Sequence, residues 1–264
     1  MTGLLVVATV NEAFGNGGGG AAFSPSDIAG LSLWMRADDI SGNDGDEISA
    51  WVSREGNSYS FEQTLTKRPL LKKGANGINS QNIVRFDGVN DLLVYTGNLL
   101  SSSEGTVLIV YRLSASPTAT QELFSSADTA LSTKYWTLEG YRSGATKLAI
   151  IQRSADTEDR IRGSTALSVN TAYIALFKSN GTAFSLRLNG AAETLAVESG
   201  ANNGDWLAET ADRDNFVIGG LKLTSESSFL KGDIAEILMY DTGLSAASIS
   251  LLETYLDGRY AINP

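Results

Sequence analysis

Six oxygen-bearing side chains crowd the stretch from Asp38 to Glu47: Asp38, Asp39, Asn43, Asp44, Asp46 and Glu47. Calcium takes six to eight oxygens, often from a Gly-containing loop. Asp39, Asn43, Asp44 and Asp46, around Gly45, are therefore the candidate ligands for Ca2+. The EF-hand spacing is absent, and the competing reading is an acidic turn facing water. A second grouping places Asn202, Asn203 and Asp205 directly before Trp206 in a polar segment, the kind of loop where binding groups often sit. An indole can stack on the apolar C–H face of a pyranose while amides and carboxylates bond its hydroxyls. Trp206, Asn202, Asn203, Asp205 and Tyr135 are thus the candidate carbohydrate-binding residues; the competing reading has Trp206 capping the core. Tyr135 and Trp136 are neighbours in a strand-like run and must point to opposite faces, so at least one belongs to the core. Glu236 stands in an apolar run on the face of Ile234, Leu238 and Tyr240. A buried carboxylate needs a partner or a raised pKa, and Arg36, Arg85 and Arg259 are the candidate partners in a structural ion pair.

Much chemistry is excluded outright. The chain has no Cys and no His, which removes disulfides, thiol and imidazole catalysis and the usual zinc ligands. Carboxylate chemistry, oxygen-ligated cations or pure binding remain. Lys and Arg number 20 against 30 for Asp and Glu, a net charge of -10 that repels phosphate backbones and anionic lipid surfaces. Nucleic acid is not an expected partner. No apolar run approaches the roughly 20 residues of a membrane span, so no membrane insertion is expected, and the short Leu4 to Ala8 run lacks the basic flank of a standard signal peptide.

The elements that must hold these residues are strands. Charged residues are only 19% of the chain, too few for the solvent faces of a helical bundle. Leu31 to Met35 alternates, Ile48 to Val52 returns the chain inward through Trp51, and Ile83 to Phe86 and Leu92 to Tyr95 flank an Asp87-Gly88 turn. Thr106 to Tyr111 is apolar on both parities. Further strands are expected at Glu122 to Ser125, Tyr135 to Glu139, Lys147 to Gln152, Ala172 to Lys178, Ala183 to Leu188, Phe216 to Gly220 and Ile234 to Tyr240. Asn180-Gly181 is the clearest hairpin signal, expected to supply left-handed turn conformations. One helix is expected, capped by Ser245 and carrying Ile249, Leu252, Leu256 and Tyr260 at helical spacing, with Gly258 as its end. About a dozen antiparallel strands and no crossover helices give an all-β fold, a two-sheet antiparallel jelly-roll sandwich with a short C-terminal helix. Gly17 to Gly20 separates residues 1–20, an N-terminal arm and Gly-rich hinge, from the domain at 21–264. The alternative makes Leu4 to Val10 an edge strand of the sandwich itself.

Several segments resemble one group. Leu31-Ser32-Leu33-Trp34-Met35-Arg36-Ala37-Asp38 resembles the opening strand of bacterial and phage laminin-G-like jelly-roll domains of the concanavalin A-like lectin/glucanase superfamily, as do Ile48 to Trp51 and Arg68-Pro69. Val84-Arg85-Phe86-Asp87-Gly88-Val89-Asn90-Asp91 resembles the central Phe-Asp-Gly signature. Gly232 to Asp241 and Leu244 to Tyr260 resemble its closing strand and terminal helix. The resemblance runs from about residue 25 to 262 and is weakest between Leu113 and Asp214. It implies lectins, carbohydrate-binding modules, adhesion domains or polysaccharide hydrolases, and calcium dependence in some relatives.

The glucanases of this group look alike in carrying Glu-x-Asp-x-Glu on one strand, which places the carboxylates on one face. That triplet is absent, so no catalytic residue is assigned and the expectation is a non-catalytic domain displayed outside the cell or on a virion surface. Its expected partner is a glycan or cell-surface polysaccharide. The alternative is a virion structural or decoration protein, a homo-oligomer or larger viral assembly joined through residues 1–15 by strand addition.

Overall fold

The computed structural model describes residues 22–54, 59–114, 119–141, 146–155 and 157–262. The arm and its glycine hinge lie outside the described residues. In chain order the strands are β1 (Leu31–Arg36), β2 (Ala50–Val52), β3 (Ser60–Glu62), β4 (Leu70–Lys72), β5 (Ile83–Asp87), β6 (Leu93–Thr96), β7 (Gly105–Leu113), β8 (Gln121–Ala127), β9 (Lys134–Tyr141) and β10 (Ala149–Ser154). They continue with β11 (Thr157–Arg162), β12 (Ala172–Ser179), β13 (Phe184–Leu188), β14 (Ala191–Ala192), β15 (Ala196–Ser199), β16 (Asn215–Ile218), β17 (Leu221–Lys222), β18 (Glu226–Ser227) and β19 (Lys231–Tyr240). Helix α1 (Ala246–Tyr260) follows.

Two large antiparallel sheets form. One runs β14-β13-β12-β7-β19-β5-β4, with β1 also paired to β19; the other runs β15-β11-β10-β9-β8-β16-β6-β3-β2. Between them lies the main core, drawn from alternate residues of both: Leu33, Met35, Val107, Ile109, Tyr111, Ile237 and Met239 from the first sheet, and Phe61, Phe124, Trp136, Leu138, Ile150, Ile161 and Phe216 from the second. Fully burying each such side chain contributes about 1.5–3 kcal/mol. This is the expected jelly-roll sandwich.

Helix α1 covers the other side of the first sheet. Ile249, Leu252, Leu256 and Tyr260 join Trp34, Leu108, Val110, Ile174, Leu176, Leu238 and Tyr240 in a second apolar cluster. Ser245 caps the helix, its Oγ accepting from Ser248 N at 3.1 Å. The helix runs past Gly258 and ends at Ala261, which takes the left-handed conformation. Trp34 is buried beneath the helix rather than between the sheets.

Glu236 is fully buried in that outer layer. It accepts hydrogen bonds from Trp34 Nε1 (2.6 Å), Tyr260 Oη (2.8 Å) and Tyr255 Oη (3.0 Å), with Arg259 Nε at 3.6 Å. Burial pushes its carboxyl pKa up, against the pull of the three donors and Arg259. Of the three arginines considered from sequence, Arg259 is the partner. The register shifts between Ile234 and Glu236 against β7, so Ile234 turns into the main core and does not share the face of Glu236, Leu238 and Tyr240. A single inserted residue reverses side-chain parity in just this way.

Candidate functional site

On the second sheet, the residues facing away from the core form two cross-strand rows. Pairing aligns Glu62, Val94, Val217, Ser125, Thr137, Ile151 and Arg160 in one row. Thr96, Asn215, Ala127, Tyr135, Arg153 and Glu158 form the next. Across the middle lies the β17–β18 ribbon, fixed where Ser125 Oγ donates to Gly220 O (2.7 Å) and Asn215 Nδ2 donates to Lys222 O (3.0 Å). The ribbon divides the outward face in two.

On one side is a cleft of about 860 Å3, within the range of small-ligand sites. Ser49, Ser60, Thr64 and Thr96 supply hydroxyls, Gln63 an amide, Glu62, Arg68, Lys222 and Glu226 charges, and Ala50 and Val94 a small apolar floor. Several groups are pre-positioned. Arg68 Nε donates to Gln63 O at 3.0 Å, which anchors the guanidinium and leaves its terminal nitrogens as donors. Lys67 Nζ holds Glu226 Oε2 at 2.5 Å. The Tyr95 ring itself turns to the core side, against Tyr59 and Phe61 with ring centroids at 5.2 and 5.9 Å. A second hollow continues the cleft past Thr96 and Lys222 to Thr129, Asp214 and Leu223.

On the other side stands Tyr135. Its Oη donates to Glu158 Oε2 at 3.0 Å, and Arg153 lies 5.9 Å from its ring centroid. Burial pushes the phenol pKa up, and the Arg153 contact pulls it back. Its neighbour Trp136 is fully buried in the core, as strand parity requires.

The other four expected carbohydrate ligands are placed differently. Trp206 is 0% exposed, so it cannot offer a face to a sugar. Its ring meets Trp136 edge-on at 4.8 Å, with Phe184 at 6.5 Å. The chain turns inward because Gly204 takes φ +76° and its Cα sits where a Cβ would meet Ala183 N at 2.4 Å, driving the next residues into the mouth of the sandwich. Asn202 is spent on β13, accepting from Phe184 N (2.6 Å) and donating to Phe184 O (3.2 Å). Asn203 and Asp205 bond each other: Asn203 Nδ2 donates to Asp205 Oδ2 and Asp205 N donates to Asn203 Oδ1.

The expected calcium ligands are also dispersed. Asp39 accepts from Arg36 Nη2 (2.6 Å) and Arg54 Nη1 (2.8 Å). Asp44 accepts from Lys73 N (2.8 Å) and Asn76 Nδ2 (2.9 Å). Asp46 accepts from Asn43 N at 2.7 Å. Each carboxylate braces a different part of the turn, and among the described residues no group of three or more Asp or Glu is placed to hold a metal ion. The structure therefore does not assemble Asp39, Asn43, Asp44 and Asp46 as a ligand set.

Sequence reasoning missed the cleft. Its residues come from β2, β3, β6 and the ribbon, separated by well over a hundred positions, and none forms a local motif. Glu62, Gln63 and Thr64 in succession were its one visible trace.

Comparison with curated protein sequences finds no match. Solved structures share the fold at low identity. The Ruminococcus gnavus IT-sialidase CBM40, in a structure bound to alpha2,3 sialyllactose, superposes with a TM-score of 0.53 and 16% identity over 85% of this chain and 99% of that one. Trypanosoma rangeli sialidase in complex with sialic acid gives a TM-score of 0.60 and 16% identity over 90% of this chain, but the chain spans only 34% of that enzyme. The family described as the concanavalin A-like lectin/glucanases superfamily matches residues 86–250, which reach from the Phe86-Asp87-Gly88 turn of β5 through the sandwich into α1. With its two-sheet architecture and that match, the chain belongs to the concanavalin A-like lectin/glucanases superfamily.

Proposed function

We propose that this protein is a non-catalytic carbohydrate-binding domain that takes a glycan in the cleft on the outward face of its second sheet, displayed outside the cell or on a virion. The observation that carries the reading is the cleft itself: an open trough of about 860 Å3 whose walls carry hydroxyl, amide, carboxylate and guanidinium groups beside Ala50 and Val94. Sugar hydroxyls both donate and accept. Glu62 can accept from vicinal hydroxyls while Arg68 and Lys222 donate to ring or hydroxyl oxygens. Ala50 and Val94 offer a small apolar surface to C–H groups. The solved relatives include a module bound to alpha2,3 sialyllactose, and an acidic sugar of that kind would find cations at Arg68 and Lys222.

Affinity per site is expected to be weak and raised by display in several copies. The test is a glycan array, including alpha2,3-sialyllactose and neutral oligosaccharides, probed with the chain multimerised on a carrier. Binding is expected for the wild type and a loss of tenfold or more for Glu62→Ala combined with Arg68→Ala. Silence of the wild type across neutral and acidic glycans would sink the reading.

A second reading, assembly through the arm, is favoured by one feature. Among the described residues strand β15 ends the second sheet, and its Val197 is 53% exposed. An exposed apolar edge is a template for strand addition, and the Leu4 to Val10 run of a neighbouring copy has the length and character to fill it. Removal of residues 1–20 should leave a folded monomer where the full chain self-associates in sedimentation; equal mass distributions for both would refute this.

A further inference from the structure

The β17–β18 ribbon is both a wall of the cleft and the partition between its two hollows. Lys222 and Glu226 line the cleft, and Lys222, Leu223 and Thr224 line the second hollow. Each ribbon strand has two residues, and among the described residues the two strands pair only with each other. A two-stranded ribbon is marginal by itself, so its position depends on what ties it down.

Its stems are set firmly on β8. Gly219 N donates to Leu123 O at 3.1 Å, Ser125 Oγ to Gly220 O at 2.7 Å, and Glu122 N to Ser228 O at 3.0 Å. Both stems turn through left-handed backbone, Gly219 at φ +82° and Ser228 at φ +54°. A Cβ on Gly219 would meet Phe86 Cε1 at 2.4 Å, so this pivot lies directly on the core. Past the pivots the hold is thinner. Leu221 is buried, but Thr224 and Ser225 at the tip are exposed. Asn215 Nδ2 donates to Lys222 O, while Asn215 Oδ1 is buried without a hydrogen-bond partner. Lifting the ribbon would hydrate that unmet acceptor, which lowers the cost of opening. Among the described residues the ribbon has one ion pair, Lys67 Nζ with Glu226 Oε2. Lys67 stands between Thr64 and Arg68 of the opposite wall, so this pair spans the cleft from wall to wall. Both side chains are partly exposed, and pairs of this kind are weak and screened by salt.

We propose that the ribbon is a hinged wall: it pivots at Gly219 and Ser228, Lys67–Glu226 is its releasable clasp, and release joins the cleft and the second hollow into one longer groove. For its purpose the inference rests on the glycan reading of the cleft. The clasp then sets the length of chain the site admits. Short ligands fit the clasped cleft, and longer chains run on past Thr96 toward Thr129 once the ribbon lifts.

The full chain has no Cys, so Val217→Cys supplies a single thiol. Val217 faces away from the core beside Ser125, in the row that the ribbon crosses, and is fully buried. Its labelling by a small maleimide reads how often the ribbon lifts. Adding Lys67→Met should raise the labelling rate about two- to fivefold, as expected for loss of an exposed ion pair. Salt at about 1 M should do the same to the Val217→Cys chain and add nothing in the Lys67→Met background. Exchanging the charges, Lys67→Glu with Glu226→Lys, should restore the original rate. Hydrogen exchange of the wild-type chain reads the same opening without a thiol: amides of residues 221–227 should exchange well before those of β7 and β19, and faster still in Lys67→Met. The proposal is overturned if residues 221–227 exchange only as fast as β7, by global unfolding, or if neither Lys67→Met nor salt changes the labelling rate. No glycan enters these measurements. A rigid ribbon on a chain that binds glycans sinks the hinge alone, and a mobile ribbon on a chain that binds none sinks the glycan reading alone.

Discussion

Replacing Glu236 with alanine removes one acceptor and strands three donors. Trp34 Nε1, Tyr255 Oη and Tyr260 Oη all point at this carboxylate, in a layer where water cannot replace it. Hydrogen bonds to a charged group contribute about 1.5–3 kcal/mol each, which would sum to roughly 4–9 kcal/mol gross. The carboxylate's own desolvation offsets part of this, and removing one member of a buried charged partnership costs about 3–5 kcal/mol net. At roughly 2–4 °C per kcal/mol for a domain of this size, Glu236→Ala should melt on the order of 10 °C lower. Glu236→Gln, which keeps one carbonyl acceptor, should lose about half as much. Equilibrium urea unfolding, followed by circular dichroism and tryptophan fluorescence, measures both. The decisive control is Trp34→Phe placed in both backgrounds. If Glu236→Ala lies within about 1 kcal/mol of wild type, or if Trp34→Phe costs the same with and without Glu236, the carboxylate is not what pins helix α1 to the sheet.

Other outcomes follow from single residues. Burial, reinforced by the charge of Asp87, pushes the Asp91 carboxyl up to about 6 from its ordinary 3.8. A carboxyl raised in the folded state contributes its full stability below about pH 4 and loses it as pH climbs through 6. Asp91→Asn should therefore match wild type in urea at pH 4 and exceed it by on the order of 2 kcal/mol at pH 8; parallel profiles would refute this. Trp206→Ala should cost about 3–5 kcal/mol in the same assay as a core truncation yet leave cleft-dependent glycan signals intact at temperatures where it stays folded. Gly204→Ala forces a methyl onto Ala183 N and Thr182 N from a left-handed backbone, and should lower stability by about 2 kcal/mol or more in thermal melts.

What could be read from sequence was what depends on local pattern. The hairpin at Asn180-Gly181 is there, although only Gly181 is left-handed; Asn180 works through its side chain, whose Oδ1 accepts from Thr182 N and Ala183 N. The Asp87 turn is held by side-chain bonds to Val89 N and Asn90 N, and α1 has its expected cap and buried stripe. Strand β11 escaped notice because Thr-Glu-Asp-Arg-Ile-Arg carries one apolar side chain; its outward residues are charged and its inward Asp159 is polar. Strand β4, directly after Pro69, is short and at an edge, where a proline is tolerated. Trp206 misled because polarity of a segment says nothing about where one side chain points. The cleft was illegible for a different reason: it exists only once β2, β3, β6 and the ribbon are laid side by side.

Strand β19 pairs along its length with β7, at its start with β5 and at its end with β1. The first sheet thus has its keystone in the last of the described strands. During synthesis the amino-terminal strands must wait, unpaired on that side, until residue 240 leaves the ribosome, and only then can the two layers close. Such late, long-range closure makes for slow maturation and leaves nascent chains open to mispairing and to chaperones, and a product cut short before β19 should be cleared as waste instead of persisting as a smaller domain.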